Sequence, residues 1–270
     1  MTVILVASAG GSPGVTTTAL GLALLWPRDV LLAELDPHPS QVLLAGYLRG
    51  LAAGGRGLGG LAQSYRTQPE NGPQQFAEQT LALTEQPGRR RCFLPGFTHP
   101  RGAVLFERYW PRLAGQLDDL GRIGTDAICD CGRLTADGLP PALLQHARAV
   151  LLLTRSDLPA LAMLRLHLPE LATATQQTAS DLLLGVVGAG RPYSGTEIAR
   201  QLELPLLAEL AWDPPTAATL RDGAPSPKRL TERPLWRGLQ TLSVRLATRA
   251  TAGAPPAGPE PPIGLPGTPR

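Results

Sequence analysis

Lysine is almost missing from this sequence. Of its 25 basic residues 24 are arginine and one, Lys228, is lysine. The abundance of Ala, Gly, Pro and Leu points to a GC-rich genome as the general cause. Any chemistry that needs a lysine must nevertheless use Lys228 or do without. Cysteine is also scarce: Cys92, Cys129 and Cys131 are too few for a disulfide scaffold. No apolar run approaches the ~18 residues that a membrane span needs; the longest lie near Thr18–Trp26 and Val150–Leu153. The start, MTVILVASAGG, lacks the basic region of a signal peptide and reads as a buried strand. A cytoplasmic protein with reduced thiols is the expectation.

What is present is a chain of 270 residues, 43% apolar and 17% charged. That is enough for a sizeable core and excludes a wholly disordered chain. The net charge of +3 hints at acidic partners without establishing nucleic-acid binding.

Apolar strands alternate with helical patterns. Strands are predicted at Val3–Ala7, Val30–Leu35, Cys92–Leu94, Ala127–Cys131, Ala149–Leu153, Leu182–Val187 and Leu206–Ala211. Helices are predicted at Thr16–Trp26, Gln41–Arg49, Gln74–Glu85, Val104–Leu120, Pro141–His146, Leu158–Leu171, Thr196–Leu202 and Leu235–Thr248. Gly50–Gly60 reads as a mobile glycine-rich loop. From Ala252 onward 11 of 19 residues are Pro or Gly, which predicts a disordered tail at 251–270. The strands are apolar without period-2 alternation. They therefore call for an α/β fold, a mostly parallel twisted sheet with helices on both faces, as one domain over 1–250. Ligands of such folds sit at the carboxyl ends of the strands.

Three segments stand at that edge. After the first strand comes AGGSPGVTTTALGLA, a glycine-rich turn into a helix. Such a turn offers backbone N–H groups to an anion; the plainer reading is a tight turn with threonine capping. After the second strand comes Glu34-Leu35-Asp36-Pro37. After the Ala127–Cys131 strand come Asp130 and Cys131-Gly132-Arg133. A glycine-rich loop plus two acidic strand ends fits a magnesium–phosphate site, because Mg²⁺ takes a hydroxyl, one or two carboxylates and waters. Cys129 and Cys131 read as small buried residues rather than as a metal pair.

Here the sequence resembles a known family. AGGSPGVTTTALGLALLWP is similar to the deviant Walker A loop and first helix of ParA/MinD-type P-loop ATPases, G-K-G-G-V-G-K-T-T. VLLAELDPHPSQ resembles that family's second strand, ending D-x-D-P, and DAICDCGRL its Walker B strand. The resemblance covers about 1–45 and 123–245, and leaves 50–120 as a variable, partly helical insertion. It implies ATP and Mg²⁺ as cofactors, with Gly10, Gly11, Ser12, Gly14, Val15, Thr16 and Thr17 around the phosphates. It also implies Thr16 and Asp130 on the metal, Asp36 positioning the attacking water, Glu34 at the first acidic position of D-x-D-P, and Arg191 near the base.

The departures from the pattern are specific. The phosphate-binding lysine falls on Val15, the signature lysine on Gly10, and the valine on Pro13, which has no N–H. A charge-assisted bond to phosphate contributes about 1.5–3 kcal/mol, so two lost contacts weaken binding roughly 10²–10⁴-fold. Arg133, Arg155 and Arg191 follow strands and could supply charge, or could be solvated loop residues. Arg89-Arg90-Arg91 reads as a solvated loop, with a nucleic-acid or acidic-partner patch as the alternative.

The resemblance implies a positioning or scaffold protein, a homodimer with weak or absent ATP hydrolysis. The kind of degeneracy resembles the TadZ/CpaE-like branch, whose partner would be a pilus or secretion motor ATPase or a polar marker. The alternative is a nucleotide-switched DNA-segregation ATPase that binds DNA non-specifically as a dimer. The last helix places Leu235, Leu239, Leu242 and Leu246 on one face. It is expected to pack on its own domain rather than on a membrane.

Overall fold

The computed structural model describes residues 2–67, 72–84, 88–224 and 228–251. Its strands are β1 (Val3–Ser8), β2 (Asp29–Glu34), β3 (Leu81–Ala82), β4 (Arg91–Leu94), β5 (Thr125–Arg133), β6 (Ala149–Arg155), β7 (Asp181–Val187) and β8 (Leu206–Leu210). They form one eight-stranded sheet in the order β3-β4-β2-β5-β1-β6-β7-β8. Every pairing is parallel except β3 with β4.

The helices are α1 (Val15–Leu25), α2 (Leu58–Thr67), α3 (Gly72–Glu78), α4 (Gly102–Phe106), α5 (Trp110–Asp119), α6 (Pro141–His146), α7 (Leu158–Thr178), α8 (Gly195–Leu202), α9 (Pro214–Asp222) and α10 (Pro234–Thr251). In β1, Val3, Leu5 and Ala7 enter one core while Ile4 and Val6 enter the other. Successive strand residues face opposite sides, so a strand covered on both faces is apolar throughout. Residues of α1, α9 and α10 fill the second core. Those of α2 and of α4 to α8 fill the first. Leu235, Leu239, Leu242 and Leu246 of α10 are buried there, as expected. No helix among the described residues is long and apolar enough to cross a membrane.

Several elements differ from the sequence expectation. The helix expected over Val104–Leu120 is broken by a 3₁₀ turn at Glu107–Tyr109. The chain restarts as α5 with Pro111 in the first turn, where its missing N–H costs nothing. The helix expected over Gln74–Glu85 stops at Glu78 and is followed by β3; Glu85 lies outside the described residues. Gln41–Arg49 contains a π-helical turn at Leu43–Tyr47. There Gly46 backs onto α9: a Cβ would sit 2.0 Å from the Arg221 carbonyl oxygen. The glycine-rich 50–60 stretch ends inside α2, which Leu58 and Leu61 anchor in the core. Helix α7 runs past Leu171 to Thr178 through Pro169. The sequence reading missed α9; its cap is Asp213, which accepts from the Thr216 N–H. Residues 252–270, expected to be disordered, lie outside the described residues.

At the opposite end of the sheet from the strand termini considered below, Asp126 is 1% exposed. Its Oδ2 accepts from Trp26 Nε1 at 2.8 Å and from Arg28 Nε at 2.7 Å. Removing that carboxylate strands a buried indole N–H and leaves the partly buried Arg28 guanidinium without its carboxylate partner. Asp126→Ala is expected to cost about 3 kcal/mol in urea unfolding. A loss below about 1 kcal/mol would mean that the trio does not act as a buried unit.

Candidate phosphate and metal site at the carboxyl edge

Strand β1 leads into the loop 9–14, which turns sharply through left-handed residues, Gly11 at φ +74° and Gly14 at φ +90°. Gly14 caps α1 with no side-chain hydrogen bond. Thr16, Thr17 and Thr18 therefore lie within the helix instead of capping it. The first-turn N–H groups are left for water or an anion.

The parallel register sets Glu34 of β2 opposite Asp130 of β5. Asp130 is fully buried. Its Oδ1 accepts from the Gly132 N–H at 3.0 Å, while its Oδ2 is enclosed without a hydrogen-bond partner. Burial pushes its pKa up to about 7. The Thr16 hydroxyl and the Gly132 N–H work against this, and the neighbouring Glu34 and Asp36 add to it. Glu34 is likewise raised by burial, against the Gly96 N–H at 3.3 Å and the Ser40 hydroxyl at 3.4 Å. Asp36 is raised by burial, against the His38 N–H at 2.8 Å. Gly132 has φ +60°, and a Cβ there would lie 2.0 Å from Asp36 Oδ2, so only glycine lets these two segments meet.

Glu34 and Asp36 thus flank an unsatisfied oxygen of Asp130, all three carboxylates having their charge disfavoured, with the Thr16 hydroxyl alongside. Thr16, Asp130 and Asp36 are brought together as the sequence motifs imply. This donor set fits a hard divalent cation that takes one or two carboxylates, a hydroxyl and waters. Among the described residues no group of three or more His, Cys, Asp or Glu could hold a metal by itself. An ion here therefore needs oxygens from elsewhere, and phosphate provides them. Cys129 and Cys131 are buried in the same core, their thiols raised by burial, Cys129 to about 12; they are inert packing.

The two lysine positions are structurally committed to other uses. Val15 is 7% exposed and packs in the α1-side core. Gly10 is buried under α7, with Met163 Cε 3.0 Å from where its Cβ would be. Arg155 runs beside the loop, its Cδ 3.8 Å from the Cβ position of Gly11, while Arg221, paired with Asp222, lines the hollow against Ser12 and Gly14. Asp157 Oδ2 holds the Arg155 Nε at 3.1 Å, and the Arg155 guanidinium lies 4.8 Å from the Trp212 ring centre. Arg133 is exposed, near enough to Asp36 to lower its pKa.

Arg191 is not brought to the loop. It lines a hollow of about 140 Å³ with Arg155, Ser156 and Trp212, and its carbonyl accepts from the Ser156 hydroxyl at 2.6 Å. A second hollow of about 130 Å³ is lined by Ser12, Pro13, Gly14 and Thr17, with Trp212 again on the wall. Trp212 therefore stands between the loop and Arg191. Sequence reasoning overlooked Trp212; its signal was its position just after β8, at the ligand edge. In the Arg89–Arg91 run, Arg90 pairs with Asp29 at 2.9 Å and Arg91 donates to the Ala23 carbonyl at 3.1 Å. Two of the three arginines thus serve the fold.

No family model matches the chain, and no curated protein matches it. Solved structures do. The ParA-family ATPase of Chlorobium tepidum aligns with a TM-score of 0.69 at 17% identity, over 91% of this chain and 98% of its own. The MinD of Aquifex aeolicus, solved in a MinC:MinD cell division complex, gives 0.65 at 14%, over 96% and 99%. The septum site-determining protein MinD of Pyrococcus horikoshii, solved with Mg-ADP, gives 0.61 at 17%, over 93% and 97%. The chain has the P-loop NTPase fold of the MinD/ParA ATPases.

Proposed function

We propose that this protein is a ParA/MinD-like positioning scaffold that binds ATP and Mg²⁺ weakly, hydrolyses ATP slowly or not at all, and recruits a partner machine of pilus or secretion type as a homodimer. The observation that carries the reading is the exclusion of both lysines: Val15 is packed in the core and Gly10 is roofed by Met163. The phosphates would rest on the loop N–H groups, with Thr16 and Asp130 holding the ion. When bound, that ion neutralises phosphate charge. Asp36 stands where a water would be oriented. Arg155, beside Gly11, supplies a cation at the loop, and its hold on Trp212 and Asp157 keeps it there. An arginine on a neighbouring strand can neutralise bound phosphate. It is not placed within the loop to follow charge onto a leaving oxygen, which supports binding without efficient turnover.

Calorimetric titration of the full chain with ATP and Mg²⁺ tests this. Saturable heat is expected, with affinity reduced roughly tenfold by Arg155→Ala and at least as much by Thr16→Ala. Steady hydrolysis by the wild type, abolished by Asp36→Ala, would overturn the weak-ATPase reading. An Arg155→Ala variant that binds as tightly as the wild type would remove Arg155 from the site.

A further inference from the structure

Residues 49–112 carry nine arginines against four acidic residues, a net +5, while the whole chain nets +3. The rest of the molecule is therefore slightly acidic, and the positive charge is concentrated in this segment. Within that segment a groove of about 390 Å³ opens between α2 and the α4 region. Leu58 and Ala62 form one wall, and Phe97, Leu105 and Phe106 the other.

The floor is rigid. Phe106 meets Phe97 edge-on at 5.6 Å and Trp110 at 5.0 Å. The lip is not covered: Leu105 is 72% and Val104 76% exposed, on a helix of five residues. Two apolar side chains held in water beside an apolar groove mark an interaction surface. Arg66 and Arg108 stand on the rim and Arg101 lies beside it, all exposed. Among the described residues no salt bridge holds any of the three. Glu107 is the single acidic residue of the segment 97–112.

We infer that this groove docks an acidic amphipathic segment of a partner protein, its apolar side chains entering beside Leu105 and its carboxylates meeting Arg66 and Arg108. The apolar floor and exposed leucine favour protein over nucleic acid, whose backbone would leave them uncovered. The inference rests on the recruitment part of the proposed function and on nothing at the phosphate loop. The test is therefore run without nucleotide, and its failure leaves the loop titration standing.

The probe is a fluorescein-labelled helical peptide with Glu on one face and Leu and Phe on the other, titrated with the full chain and followed by anisotropy. Saturable binding is expected that weakens with salt. Leu105→Asp should weaken it at least about tenfold. Paired Arg66→Glu and Arg108→Glu should weaken it and flatten the salt dependence. These side chains are exposed, so the melting temperatures of the variants should match the wild type. No binding, equal binding of a peptide with Lys in place of Glu, or competition by a short DNA duplex would each overturn the inference.

Discussion

Asp130→Asn is expected to make nucleotide binding indifferent to Mg²⁺ and, in the metal-free protein, to raise stability at neutral and alkaline pH. The Asp130 carboxyl has a folded pKa of about 7, against 3.8 for an ordinary aspartate. The native state therefore keeps its proton between these values while the unfolded chain releases it. Stability from this group is fully present below about pH 4 and is lost as pH rises through about 7. Glu34 and Asp36 are raised as well and act in the same sense. A shift of this size corresponds to roughly 4 kcal/mol. The asparagine amide can still accept from the Gly132 N–H through its oxygen, and it puts no third charge between Glu34 and Asp36. Urea unfolding should show wild type and variant alike near pH 4 and the variant more stable at pH 8. With ATP present, adding Mg²⁺ should tighten binding to the wild type alone. A flat wild-type stability between pH 4 and pH 8 would contradict the buried-carboxylate account. Retained Mg²⁺ dependence in the variant would take Asp130 out of the ion's surroundings.

Val15→Lys is expected to act in the opposite direction, by giving the loop a cation of its own. Position 15 opens α1 directly behind the loop. A lysine there has a stem long enough to leave the core and carry its ammonium towards the loop N–H groups. One charge-assisted contact contributes about 1.5–3 kcal/mol. Affinity for ATP with Mg²⁺ should therefore rise roughly tenfold to a hundredfold, read by calorimetry. Some stability should be lost, because a valine packed beside Ala19 is replaced by a longer chain. Unchanged affinity in a folded variant would show that the phosphates do not sit against this loop.

The parts of the fold legible in the sequence are those where one local rule suffices. Strands β1, β2, β5, β6 and β7 are apolar runs because the sheet is covered on both faces, and that pattern survives without any knowledge of neighbours. The meeting of Thr16, Asp36 and Asp130 was legible for a related reason: Thr16 opens the helix after β1, Asp36 lies just past β2 and Asp130 sits in the last half of β5, and parallel topology carries all three to one edge. What failed depended on distant partners. Gly59 and Gly60 sit in a helix because Leu58 and Leu61 bury. Gly46 permits a π-helical turn because α9 passes 175 residues later in the chain. The choice among three arginines was undecidable from spacing, because it turns on Trp212, a side chain 57 residues further along that packs on the Arg155 guanidinium.

Met163 gives the loop a built-in observer. The chain has two methionines, and the other is Met1. A protein labelled with ¹³C at the methionine methyls would thus display two resonances. One of them arises from a methyl that lies against Gly10, on a residue that is 41% exposed. Any molecule settling on the loop, or any second chain pressing on α7, must change the surroundings of that methyl. A single spectrum can therefore follow events at the phosphate loop without a probe being attached to it.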